Sequence, residues 1–241
     1  MKAAQVLILL LITGIFFSCN SKPDGGMLIK PRLFKQWHIT GYLKGISLIT
    51  DDGKKRIDEL LKTELYDCFE CNNRSNEKKD ICTCKELFDY GDEYYSMTGG
   101  SDQNRRFSSM KMDCEALRVL FSVKPSKISF IKDVKLDEYI VDLLPGSLCC
   151  GNKNMECAAT LRQEDKIVAS NVDNNFLEFK GYIFSHLLTP VAYGDFNEDG
   201  YEDMMFLYSI SAIEGHGDYT DKLVICTKLE TNGDLKILSV F

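Results

Sequence analysis

The chain has 241 residues, 44% of them hydrophobic, with 29 Lys and Arg against 36 Asp and Glu, for a formal net charge of −7. That length allows one substantial domain or two small ones, with a real hydrophobic core. Its Lys and Arg are scattered among carboxylates and are densest at Lys54-Lys55-Arg56, which excludes nucleic acid as an expected partner because phosphate binding needs clustered cations.

Met1-Lys2 is a short positive start, and Ala3 to Phe17 is uncharged and mostly apolar. At about 15 residues this run is too short to span a bilayer but suits the core of a secretion signal. It closes on Phe16-Phe17-Ser18-Cys19. That ending resembles the lipobox of bacterial lipoproteins, where a small residue precedes a cysteine that is acylated and becomes the first residue. The resemblance rests on Ser18-Cys19 and the apolar run, since Phe16-Phe17 departs from the usual Leu-Ala/Ser. It implies a signal peptide over residues 1–18, lipidation at Cys19, and a lipid membrane as partner. The other reading is an ordinary cleaved signal with an incidental cysteine. Asn20 to Gly26 is polar and rich in turn formers, and residues 19–30 are expected to form a lipidated tether. An aspartate after the lipidated cysteine is the inner-membrane retention signal of Gram-negative lipoproteins. Asn20 stands there instead, which points to the outer membrane of the cell envelope. No later apolar stretch approaches about 18 residues, so the processed chain is expected to be anchored without crossing.

Residues 31–241 are expected to form a single α+β domain, with N-terminal helices packed on a C-terminal antiparallel β-meander sheet. A cysteine-rich helical half covers 31–160 and a β half covers 161–241. Thr50-Asp51-Asp52-Gly53 has the chemistry of a helix cap. Ile57, Leu60, Leu61 and Leu65 follow on one helical face, which Cys68 continues. Cys71 to Phe107 is polar and expected to be loop, with a helical turn near Lys85 to Tyr90. A second helix is expected over Cys114 to Phe121, stopped by Pro125, and a third from Leu136 to Leu144. Strands follow at Lys166 to Ser170, Phe176 to Phe184, Pro190 to Tyr193, Asp203 to Ile210, Lys222 to Leu229 and Leu235 to Phe241. Turns at Asn174-Asn175, Asn197 to Gly200, Gly215-His216-Gly217 and Asn232-Gly233 separate them. Met204 to Tyr208 is continuously apolar, as a central strand covered on both faces requires. The short connections imply a meander with the helices on one face.

Ten cysteines are present, and export to an oxidising compartment makes disulfides the default. Apart from Cys19 the number is odd, and Cys226, inside the apolar run Leu223-Val224-Ile225-Cys226, is expected to be the buried thiol left over. Pairing among the other eight stays open. Cys68, Cys71, Cys82 and Cys84 could instead hold zinc as four thiolates, although the one-residue gap of the second pair fits poorly. Cys68-Phe69-Glu70-Cys71 could be a redox pair, but such a thiol belongs at a helix start and Cys68 falls at a helix end.

The sharpest internal motif is Asp195-Phe196-Asn197-Glu198-Asp199-Gly200-Tyr201-Glu202-Asp203. It sets oxygen-bearing side chains at positions one, three, five and nine, with a glycine at six for the turn. A hard cation of calcium's size wants six to eight oxygens at once, which such a loop can supply. Position twelve is Phe206, so it is not an EF-hand. The stretch from Val191 to Tyr208 resembles the calcium loop of FG-GAP/VCBS-type repeats and of thrombospondin type 3 repeats. It occurs once, so a propeller is not implied. By that resemblance Asp195, Asn197, Asp199 and Asp203 are side-chain ligands of a structural calcium ion, the carbonyl of Tyr201 adds another, and Glu198 and Glu202 face outward. The other reading is an acidic turn that needs no ion.

The three histidines, His38, His186 and His216, are far apart, and no nucleophile elbow or phosphate loop is present. Function is therefore expected to be non-enzymatic binding of a protein or glycan partner by a membrane-anchored envelope lipoprotein. The alternatives are an exported hydrolase using acidic residues, or a hydrolase inhibitor inserting a loop such as Gly215-His216-Gly217.

Overall fold

The computed structural model describes residues 27–241 except 36, 74, 91–93, 98–100, 132–133, 135, 150–156, 173–175 and 214–219. The expected signal peptide, Cys19, most of the expected tether, and the expected turns at Asn174-Asn175 and Gly215-His216-Gly217 lie outside the described residues. In chain order the first elements are β1 (Arg32–Leu33), a 3-10 turn at His38–Leu43 and α1 (Asp51–Leu61). The Thr50 hydroxyl accepts from the Gly53 amide at 3.2 Å, so the predicted cap is in place. Ile57 and Leu60 are buried, but α1 ends at Leu61 and does not carry its face on to Cys68.

The predicted loop over Cys71 to Phe107 is instead a small sheet and parts of two helices. β2 (Phe69–Asn73) pairs antiparallel with β3 (Lys78–Ile81) and with β4 (Tyr94–Met97). The expected helical turn is present as α2 (Cys84–Tyr90). There Glu86 accepts from the amides of Cys82 and Thr83 while Thr83 Oγ1 accepts from the Glu86 amide, a reciprocal cap. The second predicted helix is much longer, α3 (Ser101–Ser122), with Phe107, Met110, Cys114, Leu117 and Leu120 buried at spacings of three and four. Two disulfides fasten this region, Cys68–Cys82 and Cys84–Cys114. The four cysteines of the zinc reading are therefore not four thiolates.

α4 (Ile140–Leu143) and α5 (Leu161–Glu164) are single turns. The strands then run β5 (Ala169–Val172), β6 (Leu177–Lys180), β7 (Phe184–Gly194), β8 (Asp203–Ala212), β9 (Thr220–Thr227) and β10 (Lys236–Val240). Each pairs antiparallel with the next, giving the expected meander, and β1 adds a seventh strand on the far part of β7. Pro190 sits inside β7 where the register shifts, the place where a strand tolerates a residue with no N–H.

The class is α+β, but the helices are few and not confined to the start of the chain, and they do not cover one face only. Met205, Leu223 and Ile225 pack with residues of α1 and α3. Met204, Phe206, Tyr208, Val224 and Cys226 pack with Ile140, Val141, Leu161 and other residues of the 131–167 stretch. The sheet is a partition between two interiors, because 131–167 brings enough apolar side chains to cover the second face. This two-sided burial is why Met204 to Tyr208 shows no polar alternation.

Candidate metal centre

The nine residues from Asp195 to Asp203 close the β7–β8 hairpin, where Gly194 and Asp203 are register partners. Glu198 and Gly200 take left-handed backbone, with φ of 64° and 90°. Backbone hydrogen bonds lace the loop to the strand-like stretch after α3: Lys124 N to Asp195 O at 3.0 Å, Lys127 N to Gly200 O at 2.7 Å, and Glu202 N to Ile128 O at 2.8 Å. Gly194 is required beside it, since a Cβ there would lie 2.4 Å from Val123 Cγ2.

Within the loop each aspartate first serves the backbone. Asp195 Oδ2 accepts from Gly200 N at 2.9 Å, Asp199 Oδ1 from Tyr201 N at 2.8 Å, and Asp203 Oδ2 from Phe196 N at 3.0 Å. Asn197 Oδ1 accepts from Asp199 N at 3.2 Å, and its amide donates to Asp199 Oδ2 at 2.9 Å. Asn197 and Asp199 are exposed, Tyr201 is half-buried, and Asp195 and Asp203 are buried at 3% and 0% exposure. The second oxygen of Asp195, Oδ1, has no hydrogen-bond partner among the described residues, whereas the Asp203 carboxyl has the buried hydroxyl of Thr227, its register partner on β9, for a neighbour. Burial pushes the Asp203 carboxyl up to about 7; the Phe196 amide and the Thr227 hydroxyl oppose this, and the charges of Asp199 and Asp195 add to it. An all-oxygen donor set with one orphaned carboxylate oxygen fits a hard divalent cation, and does not suit a soft one.

Glu202 departs from expectation. It is 1% exposed and turned inward, accepting from Arg32 Nη2 at 3.1 Å and Ser129 Oγ at 2.6 Å. Glu198 does face solvent, with Lys124 Nζ 3.9 Å away. Among the described residues, the His, Cys, Asp or Glu group of three whose ligand atoms lie within 4.8 Å of one another is elsewhere, at Glu64, Cys68 and Cys82; the carboxylates of Asp195, Asp199 and Asp203 do not converge that closely. Two of those sulfurs are joined in a disulfide and offer no thiolate. Cys226 is a buried thiol as expected, but Cys71 and Cys149 are thiols as well, so it is not the single one. Cys157 is disulfide-bonded.

Two buried polar clusters carry no sequence signal, because their members are remote in the chain. In the first, Asp165 accepts from Ile183 N, Phe184 N and His186 Nε2 at 2.9, 3.0 and 2.8 Å, and His186 Nδ1 lies 2.7 Å from Tyr208 Oη. Gly181 leaves room for that carboxylate, which a Cβ would approach to 1.9 Å. All three side chains are buried, so the cluster is a clamp within the fold and touches no solvent-borne substrate. In the second, Asp113 accepts from Trp37 Nε1 at 2.6 Å and from Tyr66 Oη, while His38 Nε2 lies 2.7 Å from Tyr66 Oη. Burial raises the Asp113 carboxyl, against the pull of His38 and of the Trp37 and Tyr66 donors. A cleft of about 230 Å³ lined by Tyr66, Arg105, Arg106 and Ser109 adjoins it. His216 lies outside the described residues.

Comparison with known proteins adds no relative: no family model matches the chain, no curated protein matches it, and no solved structure matches it. No helix among the described residues is long and apolar enough to cross a membrane.

Proposed function

We propose that this chain is an envelope lipoprotein, held at the outer membrane through acylated Cys19, that binds a protein or glycan partner and is stiffened by a calcium ion in the Asp195–Asp203 loop. The observation that carries the ion is Asp195 Oδ1, a buried carboxylate oxygen left without a hydrogen-bond donor among the described residues, beside the buried Asp203 carboxyl. Such an atom is costly unless something positive meets it. Asp195, Asn197, Asp199 and Asp203 side chains and the Tyr201 carbonyl would hold the ion, which supplies charge neutralisation and no chemistry. Its place suits a clamp: the loop is laced to residues 124–128, and Glu202 beside it holds Arg32 of β1, the strand into which the tether runs.

Three clefts among the described residues favour binding over catalysis. Those lined by Leu87 and Phe88, by Leu33 and Leu43, and by Tyr66 and Arg106 carry between them one carboxylate, Glu115. No carboxylate pair for glycoside chemistry converges there. The hydrolase reading keeps one point in its favour, the His38–Tyr66–Asp113 cluster beside a cationic cleft.

The test is thermal denaturation in about 2 mM calcium and in chelator, with affinity pull-down from membrane extract. At extracellular-module affinities of about 10⁻⁴–10⁻³ M, calcium should raise the melting temperature by roughly 1–7 °C. Asp203→Asn should abolish the response. An equal melt in both buffers removes the ion. A stoichiometric captured partner supports binding, whereas hydrolysis of a chromogenic ester or glycoside lost in His38→Ala supports the enzyme.

A further inference from the structure

The chain is acidic overall, yet the charged residues lining one apolar cleft are all cations. Pro31, Leu33, Leu43, Ile46 and Leu48 form its walls, with a volume of about 540 Å³. Lys35 and Lys44 are its charged lining residues, and no carboxylate lines it. Both ammonium groups are exposed. Lys62, Lys78 and Lys85 are spent in surface ion pairs, whereas Lys35 and Lys44 have none among the described residues. Tyr42, on the same 3-10 turn as Leu43, is 50% exposed, and Met27 and Leu28, just before β1, are 93% and 50% exposed. Apolar side chains, a tyrosine and lysines side by side are the composition of a surface that lies at a membrane interface.

Position singles out the occupant. Met27 is eight residues beyond Cys19, a distance of at most about 28 Å fully extended and about 15 Å as a flexible coil. A domain held on so short a lead cannot turn every face away from the bilayer. Pro31 and Leu33 of the cleft wall are the part of the fold nearest that lead in sequence. We propose that this cleft is a second membrane contact, in which the apolar walls take up acyl-chain or glycerol carbons and Lys35 and Lys44 meet the phosphates of anionic phospholipid. The proposal deepens the lipid-anchor reading above and rests on it for orientation. Two weak signals together then hold the domain against the bilayer with its β1 edge down, leaving the opposite edge of the sheet, β10, toward a partner.

The experiment uses the processed chain, residues 19–241 with Cys19→Ser, which differs from the proposed mature protein by its lipid. Co-sedimentation is measured with vesicles of phosphatidylglycerol and phosphatidylethanolamine, and with phosphatidylcholine alone. The expected result is sedimentation with the anionic vesicles, weakened by salt and absent with phosphatidylcholine. Lys35→Gln with Lys44→Gln should lower the affinity about 30-fold, and Tyr42→Ala should lower it as well, both with unchanged melting temperature. Anionic vesicles that bring down no protein, or a double variant that sediments like the parent, would overturn the proposal; the latter would assign contact to the tether. Mass spectrometry of the full chain from cells tests the anchor separately. Unmodified Cys19 with intact vesicle binding would sink the anchor and leave the cleft standing.

Discussion

Removing the Asp165 carboxylate tests how much of the second interior hangs on one buried acceptor. Asp165 is 2% exposed and accepts three hydrogen bonds, from Ile183 N, Phe184 N and His186 Nε2. In Asp165→Ala all three donors lose their acceptor in a site closed to solvent. Each orphaned donor costs about 1–3 kcal/mol. Water entering the vacated space recovers part of this, so the net loss should be roughly 3–5 kcal/mol, a large share of the 5–15 kcal/mol that typically holds a domain folded. Asp165→Asn separates the contributions. Its oxygen can still serve Ile183 N, and His186 can change tautomer to accept from the new amide while donating to Tyr208. Phe184 N is left facing a donor and the Tyr208 hydroxyl gives up its acceptor, at roughly 2–3 kcal/mol together. Urea denaturation followed by far-UV circular dichroism should therefore rank wild type above D165N and D165N above D165A. A D165A variant within about 1 kcal/mol of wild type would refute the clamp, because no buried trio of donors is lost so cheaply.

His186 supplies the pH dependence of the same cluster. Burial lowers its pKa below the ordinary 6.5, with the Asp165 hydrogen bond and charge opposing. The unfolded chain thus takes up this proton before the folded one does, so stability is full above about pH 6.5 and falls as pH drops toward the folded value. Asp203, held up to about 7, acts with the opposite sign in that window, so the readout is the difference between wild type and His186→Gln. The variant should lose less stability than wild type between pH 7.5 and 5, and parallel curves would contradict the assignment. Thiol labelling checks the cysteines. Burial raises Cys71 and Cys149 up to about 11 and Cys226 further, and Cys149 is half-buried while the other two are buried. At pH 8 the folded protein should label slowly at Cys149, and at Cys71 and Cys226 only on unfolding. Fast native labelling of either of those two by peptide mapping would count against the packing around it.

The β half was legible because its signals are local. Asn232-Gly233 turns a hairpin between β9 and β10, and the unbroken apolar run at Met204 to Tyr208 marks a strand buried on both sides. The spacing of Asp195 to Asp203 likewise marked a turn, though not that Asp195 and Asp203 are buried while Asn197 and Asp199 are exposed. What was missed is held by distant partners. β2 reads Phe-Glu-Cys-Asn-Asn and β3 Lys-Lys-Asp-Ile, with no useful alternation, and they lie next to the Cys68–Cys82 disulfide. The first turns of α3 are polar, so its periodicity shows only from Phe107 onward. Glu202 looked like an outward residue because its partners, Arg32 and Ser129, come from segments 170 and 73 residues away. The Asp113 and Asp165 clusters also gather residues that no window of sequence contains together.

Because β8 fronts two interiors, few of its positions from Met204 to Ile210 are indifferent to what occupies them. A bulkier or smaller side chain there is felt by one helix layer or the other. Drift in this chain should accordingly settle at the margins, in β5 and β10, where one flank has no neighbour to offend.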